Sequence, residues 1–108
     1  MSKSKADQDR LTAIRNIPCV CCYTLGKRQP LPTEAHHLRG KRYHQETVAL
    51  CGWHHRADIR KKDSKIEMLL EFGPSLEYQG RKDAFHKRWG SNEKLLLITD
   101  QLIGQSEL

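Results

Sequence analysis

Apolar positions in this chain come in short runs whose period changes several times. Leu11, Ile14 and Ile17 recur at helical spacing, with Asp7 or Asp9 available as an N-cap, and predict a short helix ending near Asn16, before Pro18. Arg10 and Arg15 fall on its wet face, and residues 1–9 read as a polar, flexible tail. The stretch from Pro18 to Pro32 is rich in Gly, Pro and Cys and predicts irregular structure. Thr33 to Leu38 and Thr47 to Leu50 read as strands that can pair as a hairpin across the Arg39–Gln45 loop.

From Gly52 the pattern is helical. A short helix is expected after Cys51, then a break near Asp63. A second runs from about Lys65 to Phe72, opened by a Ser64–Glu67 capping box and closed by Gly73-Pro74. A third, Arg81 to Trp89, stops at Gly90. A last helix carries Leu95, Leu96, Ile98, Leu102 and Ile103, capped by Ser91 or Asn92 and stopped by Gly104.

Composition narrows the class. With 108 residues, 37% hydrophobic and 6% aromatic, the chain has material for one modest core. Something besides apolar packing is therefore expected to hold the fold. No apolar run approaches the roughly 18 residues of a membrane span, and the start leads into no apolar segment, so a soluble protein in a reducing cytoplasm is expected. Lys and Arg number 19 against 13 Asp and Glu, a net charge of +6. That balance favours a polyanionic partner such as DNA.

In a reducing compartment, clustered cysteines read first as metal ligands. Cys19 and Cys22 form a CxxC, Cys51 and His54 a CxxH, and 28 residues separate Cys22 from Cys51, room for the hairpin. Two such pairs can close a tetrahedral Zn²⁺ site, whose binding free energy (about 10–16 kcal/mol in small zinc modules) would replace the missing core. Cys21 lies inside the first pair; a register in which it is a ligand stays open.

Three histidines remain beside this framework: the adjacent His36 and His37 on the first strand, and His55 at the start of the helix. Neighbouring strand residues point to opposite sides, so His36 and His37 suit different tasks, one a metal ligand and one a proton acceptor. Phosphodiester hydrolysis needs a base near neutrality, a cation to stabilise phosphoryl charge, and a cationic rim to hold the backbone. Arg39, Lys41, Arg42, Arg56 and Arg60, with Lys61 and Lys62, supply the rim. His44 and His86 read as ordinary solvated or satisfied side chains.

The order CxxC, strand-borne Ala35-His36-His37-Leu38, then Leu50-Cys51-Gly52-Trp53-His54-His55 resembles the HNH endonuclease family, whose active site is a ββα-metal unit. Ile17 to Cys22, and Gly80 to Gly90 with Phe85 and Trp89, extend the likeness to its phage recombination-enhancement, RecA-dependent nuclease branch. The resemblance implies a small α+β fold: a zinc-stapled ββα-metal core hairpin over about 17–62, a C-terminal helical part over about 64–104, and a single domain over 10–108. It implies structural Zn²⁺ on Cys19, Cys22, Cys51 and His54, and a catalytic divalent cation such as Mg²⁺ on His36 and His55. His37 would be the general base. The reaction would be DNA hydrolysis, with a RecA filament as partner, in a bacterial host carrying the phage or prophage that encodes the protein.

Two positions depart from the family pattern. The Asn that usually precedes the Leu-Cys pair is absent, Glu46-Thr47 standing there, so the group that steadies the base is unassigned. A later His of the branch is also absent; Glu77 is the candidate oxygen ligand in its region, and Asp58, beyond His55, is its rival. Two other functions compete. A zinc-stapled nucleic-acid-binding module without catalysis would bind salt-sensitively and never cut. An interaction module would dock through the Leu95–Ile103 stripe, although such stripes are usually core.

Overall fold

The computed structural model describes residues 4–78 and 82–106. In chain order these are α1 (Lys5–Arg15), α2 (Val20–Leu25), β1 (Thr33–His37), β2 (Thr47–Cys51), α3 (Gly52–Arg56), α4 (Lys65–Phe72), α5 (Lys82–Trp89) and α6 (Asn92–Ser106). The architecture is small α+β, a two-stranded antiparallel hairpin set among helices. Among the described residues no helix is long and apolar enough to cross a membrane.

The hairpin is the organising element. Thr33 pairs with Cys51, Ala35 with Ala49 and His37 with Thr47. All of β2 is buried, because α1, α2, α3 and α6 all pack against it. Its unbroken run Thr-Val-Ala-Leu-Cys suits a strand covered on both faces. Only Thr33 of β1 is buried; its other residues are half-exposed, which leaves their polar side chains accessible. One apolar cluster joins Ile14, Val20, Val48, Leu50, Trp53, Met68, Phe85, Trp89 and Leu95 around this strand.

α1 starts earlier than its apolar spacing indicates. Residues 5–9, expected to be a loose tail, are its first turns. Ser4, rather than Asp7 or Asp9, is the N-cap: its hydroxyl accepts the Asp7 N–H and the Asp7 carboxylate accepts the Ser4 N–H. Arg10 does not face water. Its side chain is 11% exposed. Its Nε donates to Thr47 Oγ1 at 2.9 Å and its Nη2 to the Thr47 carbonyl at 2.6 Å, while Nη1 reaches Asp100 at 2.8 Å. One guanidinium thus ties α1 to β2 and α6.

The cysteine-rich segment expected to be irregular contains α2, closed by Gly26 at φ 68°, a left-handed cap that glycine adopts without strain. α4 has its expected bounds. Its cap differs in detail: Ser64 Oγ accepts the Glu67 N–H, but the Glu67 carboxylate takes the Ser64 hydroxyl rather than its N–H. The third expected helix is described from Lys82, its first residue Arg81 lying outside the described residues. Ser91 Oγ caps α6 by accepting the Lys94 N–H, and α6 runs through Gly104 to Ser106 instead of stopping there.

Gly73 sits where α4 must turn beneath the C-terminal helices. Its φ is 83°, and a Cβ there would lie 2.9 Å from Trp89. The Gly73 carbonyl accepts from Trp53 Nε1 at 3.0 Å and the Pro74 carbonyl from Trp89 Nε1 at 2.9 Å. Both indole donors are thereby satisfied in one corner of the core.

Candidate functional site

Cys19 is the N-cap of α2 and Cys22 lies in its first turn. Cys51 ends β2 and caps α3, which carries His54. All four side chains are buried. His54 Nδ1 stands 3.5 Å from Cys19 Sγ, 3.6 Å from Cys22 Sγ and 3.3 Å from Cys51 Sγ, and the Cys22 and Cys51 sulfurs are 3.9 Å apart. Ligands about 2.0–2.3 Å from a tetrahedral Zn²⁺ lie roughly 3.5–3.8 Å from each other, so this Cys₃His cluster can hold a metal such as zinc.

The chemistry of the donors fits as well. Burial opposes a Cys19 thiolate, but hydrogen bonds from Cys21, Cys22, Cys51 and His54 outweigh it and hold the thiol well below its ordinary range. The same crowding, with Cys19 and Cys51 foremost, pushes the Cys22 thiol far up. Sulfurs this close cannot all be anionic unless a cation lies among them. His54 Nε2 is 2.9 Å from the Phe72 carbonyl, an acceptor only. Nε2 therefore carries the proton in the neutral ring, and Nδ1 presents its lone pair to the sulfurs. Cys21 stands outside the cluster. Its thiol is raised well above the ordinary value, first by burial and then by its Cys19 contact.

The hairpin and α3 bring His36 and His55 together, ring centroids 5.0 Å apart. His55 Nδ1 donates to Glu34 Oε1 at 2.8 Å. Arg56 donates to both oxygens of the same carboxylate, at 2.9 and 2.6 Å. These hydrogen bonds, Arg56 first, hold the Glu34 carboxyl below its usual range against partial burial, so it is the anionic acceptor. The His55 proton is then fixed on Nδ1 and the lone pair on Nε2. Burial, reinforced by His55, His37, Lys82 and His86, lowers His36 to about 4. A neutral imidazole at physiological pH is the form that ligates a metal.

His37 turns elsewhere, as strand alternation requires. Its Nε2 lies 3.1 Å from His44 Nδ1, with the rings edge to face. Both open on a cavity of about 640 Å³ also lined by Leu11, Arg15, Glu34 and Lys41. Of the expected third ligands, Asp58 Oδ1 accepts the Ile59 N–H and its carboxylate lies 3.6 Å from Arg56, while Glu77 is exposed. Neither joins His36 and His55 in a converging group among the described residues.

The expected cationic rim divides in two. Arg56 is committed to Glu34, and Arg60 is ion-paired with Asp63 and Glu71. Arg39 pairs with Glu46 at 3.2 Å and covers the Tyr43 ring, but is 61% exposed. Lys41 and Arg42 are exposed on the hairpin loop.

Sequence reasoning missed two groups. Glu34 stands two residues before His36, so the period of two already put both on one face of β1. His44 reads in the sequence as an ordinary solvated or satisfied side chain; it is satisfied, but nothing local marks His37 as its partner, because the contact depends on how the loop folds back.

No curated protein matches the chain. A family model for recombination enhancement, RecA-dependent nucleases matches residues 4–104. With that match spanning nearly its whole length, the chain belongs to the recombination enhancement, RecA-dependent nuclease family.

Proposed function

We propose that this protein is a metal-dependent DNA endonuclease of HNH type, acting in recombination on DNA held by a RecA filament, in the cytoplasm of a phage- or prophage-bearing bacterium. The observation that carries this reading is the pairing of His36 with His55 at 5.0 Å, with Glu34 behind His55. Zn²⁺ on Cys19, Cys22, Cys51 and His54 would be structural, joining α2 to the end of β2 and to α3. His36 and His55 would hold a divalent cation such as Mg²⁺. When bound, that cation supplies stabilisation of the charge on the phosphoryl oxygens and the leaving 3′ oxygen.

The remaining work falls to the chain's own groups. His37 takes the proton of the attacking water as general base. Lys41, Arg42 and Arg39 hold the DNA backbone. Glu34 keeps His55 in the ligating tautomer, as carboxylates behind metal-bound histidines do.

The test is cleavage of plasmid and single-stranded DNA across several divalent cations, with and without a RecA filament. Cutting is expected to need a divalent cation and to disappear in His37→Ala with zinc content unchanged. A His37→Ala protein that cuts like the parent overturns the base assignment. Salt-sensitive binding with no cleavage under any cation overturns the nuclease reading in favour of a binding module.

A further inference from the structure

The His37–His44 contact goes beyond two neighbouring rings, because the loop holding His44 is fastened at several points. The His44 carbonyl accepts the Thr47 hydroxyl at 2.8 Å. Thr47 Oγ1 and its carbonyl are in turn held by Arg10. Gln45 donates to Asp7 of α1 at 2.9 Å. Within the loop, the Tyr43 N–H meets the Gly40 carbonyl, the Glu46 N–H meets the Tyr43 carbonyl, and the Leu38 N–H returns to the Glu46 carbonyl. The His44 ring is thus delivered to His37 by α1 and β2 together.

From this geometry we infer that His44 is a positioning residue for His37: it accepts the His37 Nε2–H through Nδ1 and so fixes the orientation and tautomer of the base. The inference rests on the proposed role of His37. Two neutral imidazoles meeting Nε2 to Nδ1 share a single proton, which sits on one side or the other. With the proton on His37 Nε2, its Nδ1 is the basic nitrogen, and the proton taken from water arrives there. With the proton on His44, His37 Nδ1 would be protonated and useless as a base. When His44 accepts at Nδ1, its own proton lies on Nε2. This assigns a group to the steadying role that the missing Asn leaves empty, from a loop instead of the usual position. Third groups of this kind matter because an imidazole in the wrong tautomer cannot act as base.

The experiment compares His44→Leu and His44→Asn with the parent and with His37→Ala, on plasmid DNA with Mg²⁺ and a RecA filament, with zinc content measured for each. Leucine fills the space but cannot accept; the asparagine Oδ1 can. His44→Leu is expected to lower kcat about 10- to 100-fold, the effect typical of removing an outer orienting partner, with KM within about twofold. His44→Asn is expected to recover most of that loss. The inference is overturned if both variants match the parent, or if both lose equally through a raised KM or lost zinc. If His37→Ala is inactive while His44→Leu is not slowed, only the role of His44 fails. If His37→Ala itself cuts normally, the base assignment fails and the inference falls with it.

Discussion

His54 donates its Nε2–H to the carbonyl of Phe72 at 2.9 Å, so the last turn of α4 orients a ligand of the Cys₃His cluster. Metal and helix therefore support each other: the carbonyl sets the tautomer, and a bound cation would draw Nδ1 and three sulfurs to one point. Chelation is expected to abolish cooperative thermal unfolding, since metal binding in small zinc modules contributes about 10–16 kcal/mol, more than most domains possess. Cys22→Ser is expected to reproduce this and Cys21→Ala to retain full metal content. Elemental analysis and calorimetry check both, and equal metal loss in the two variants would contradict the ligand set.

Glu34 serves His55 and Arg56 at once. Replacing it with Ala leaves the His55 Nδ1–H without its acceptor. The divalent-cation concentration for half-maximal cleavage is expected to rise about 10- to 100-fold, as for other partners behind metal-bound histidines. A cation titration of plasmid nicking measures this. An unchanged midpoint would mean that the carboxylate does not tune the site.

Asp7 provides a pH dependence. Its hydrogen bond from Gln45, the largest influence, and those from Ser4 hold its pKa below the usual carboxylate value, against slight desolvation. Its folded-state pKa is thus lower than its unfolded one. The stabilisation is full above the unfolded value of about 4 and disappears as pH falls through the folded value. Urea midpoints followed downward from neutrality are expected to fall less steeply below about pH 4 in Asp7→Asn than in the parent. Parallel acid limbs would show that the Asp7 contacts do not persist in solution.

Thr99 is buried on α6 and accepts the Ala49 N–H of β2 at 3.3 Å while donating to Leu95 at 2.9 Å. Thr99→Val keeps the shape and removes the acceptor. Stability is expected to drop by about 1–3 kcal/mol, the cost of an unsatisfied buried donor, read from denaturant midpoints at constant slope.

Local signals explain what the sequence showed of this molecule. β2, α4 and the two ligand pairs each carry their own mark: a β-branched apolar run, a Ser–Glu cap, and knuckle spacing. The pairing of His36 with His55 was what the family resemblance implied; no local pattern in the chain marks it. The misses depend on distant contacts. Arg10 looked solvated because Thr47 and Asp100 are 37 and 90 residues away. The His44–His37 contact depends on a loop that Asp7, Arg10 and Thr47 hold in place from outside it. The early start of α1 was written in Ser4 and Asp7 but hidden behind a polar composition.

The Arg10 clamp changes what shortening this protein would do. Polar leading residues are commonly trimmed as dispensable. Here a cut beyond Arg10 would deprive β2 of its hold on the first helix and leave Asp100 without that partner near the opposite end of the chain. The damage would reach the loop beside His37, so that a truncation remote from the histidines in sequence would register as impaired chemistry.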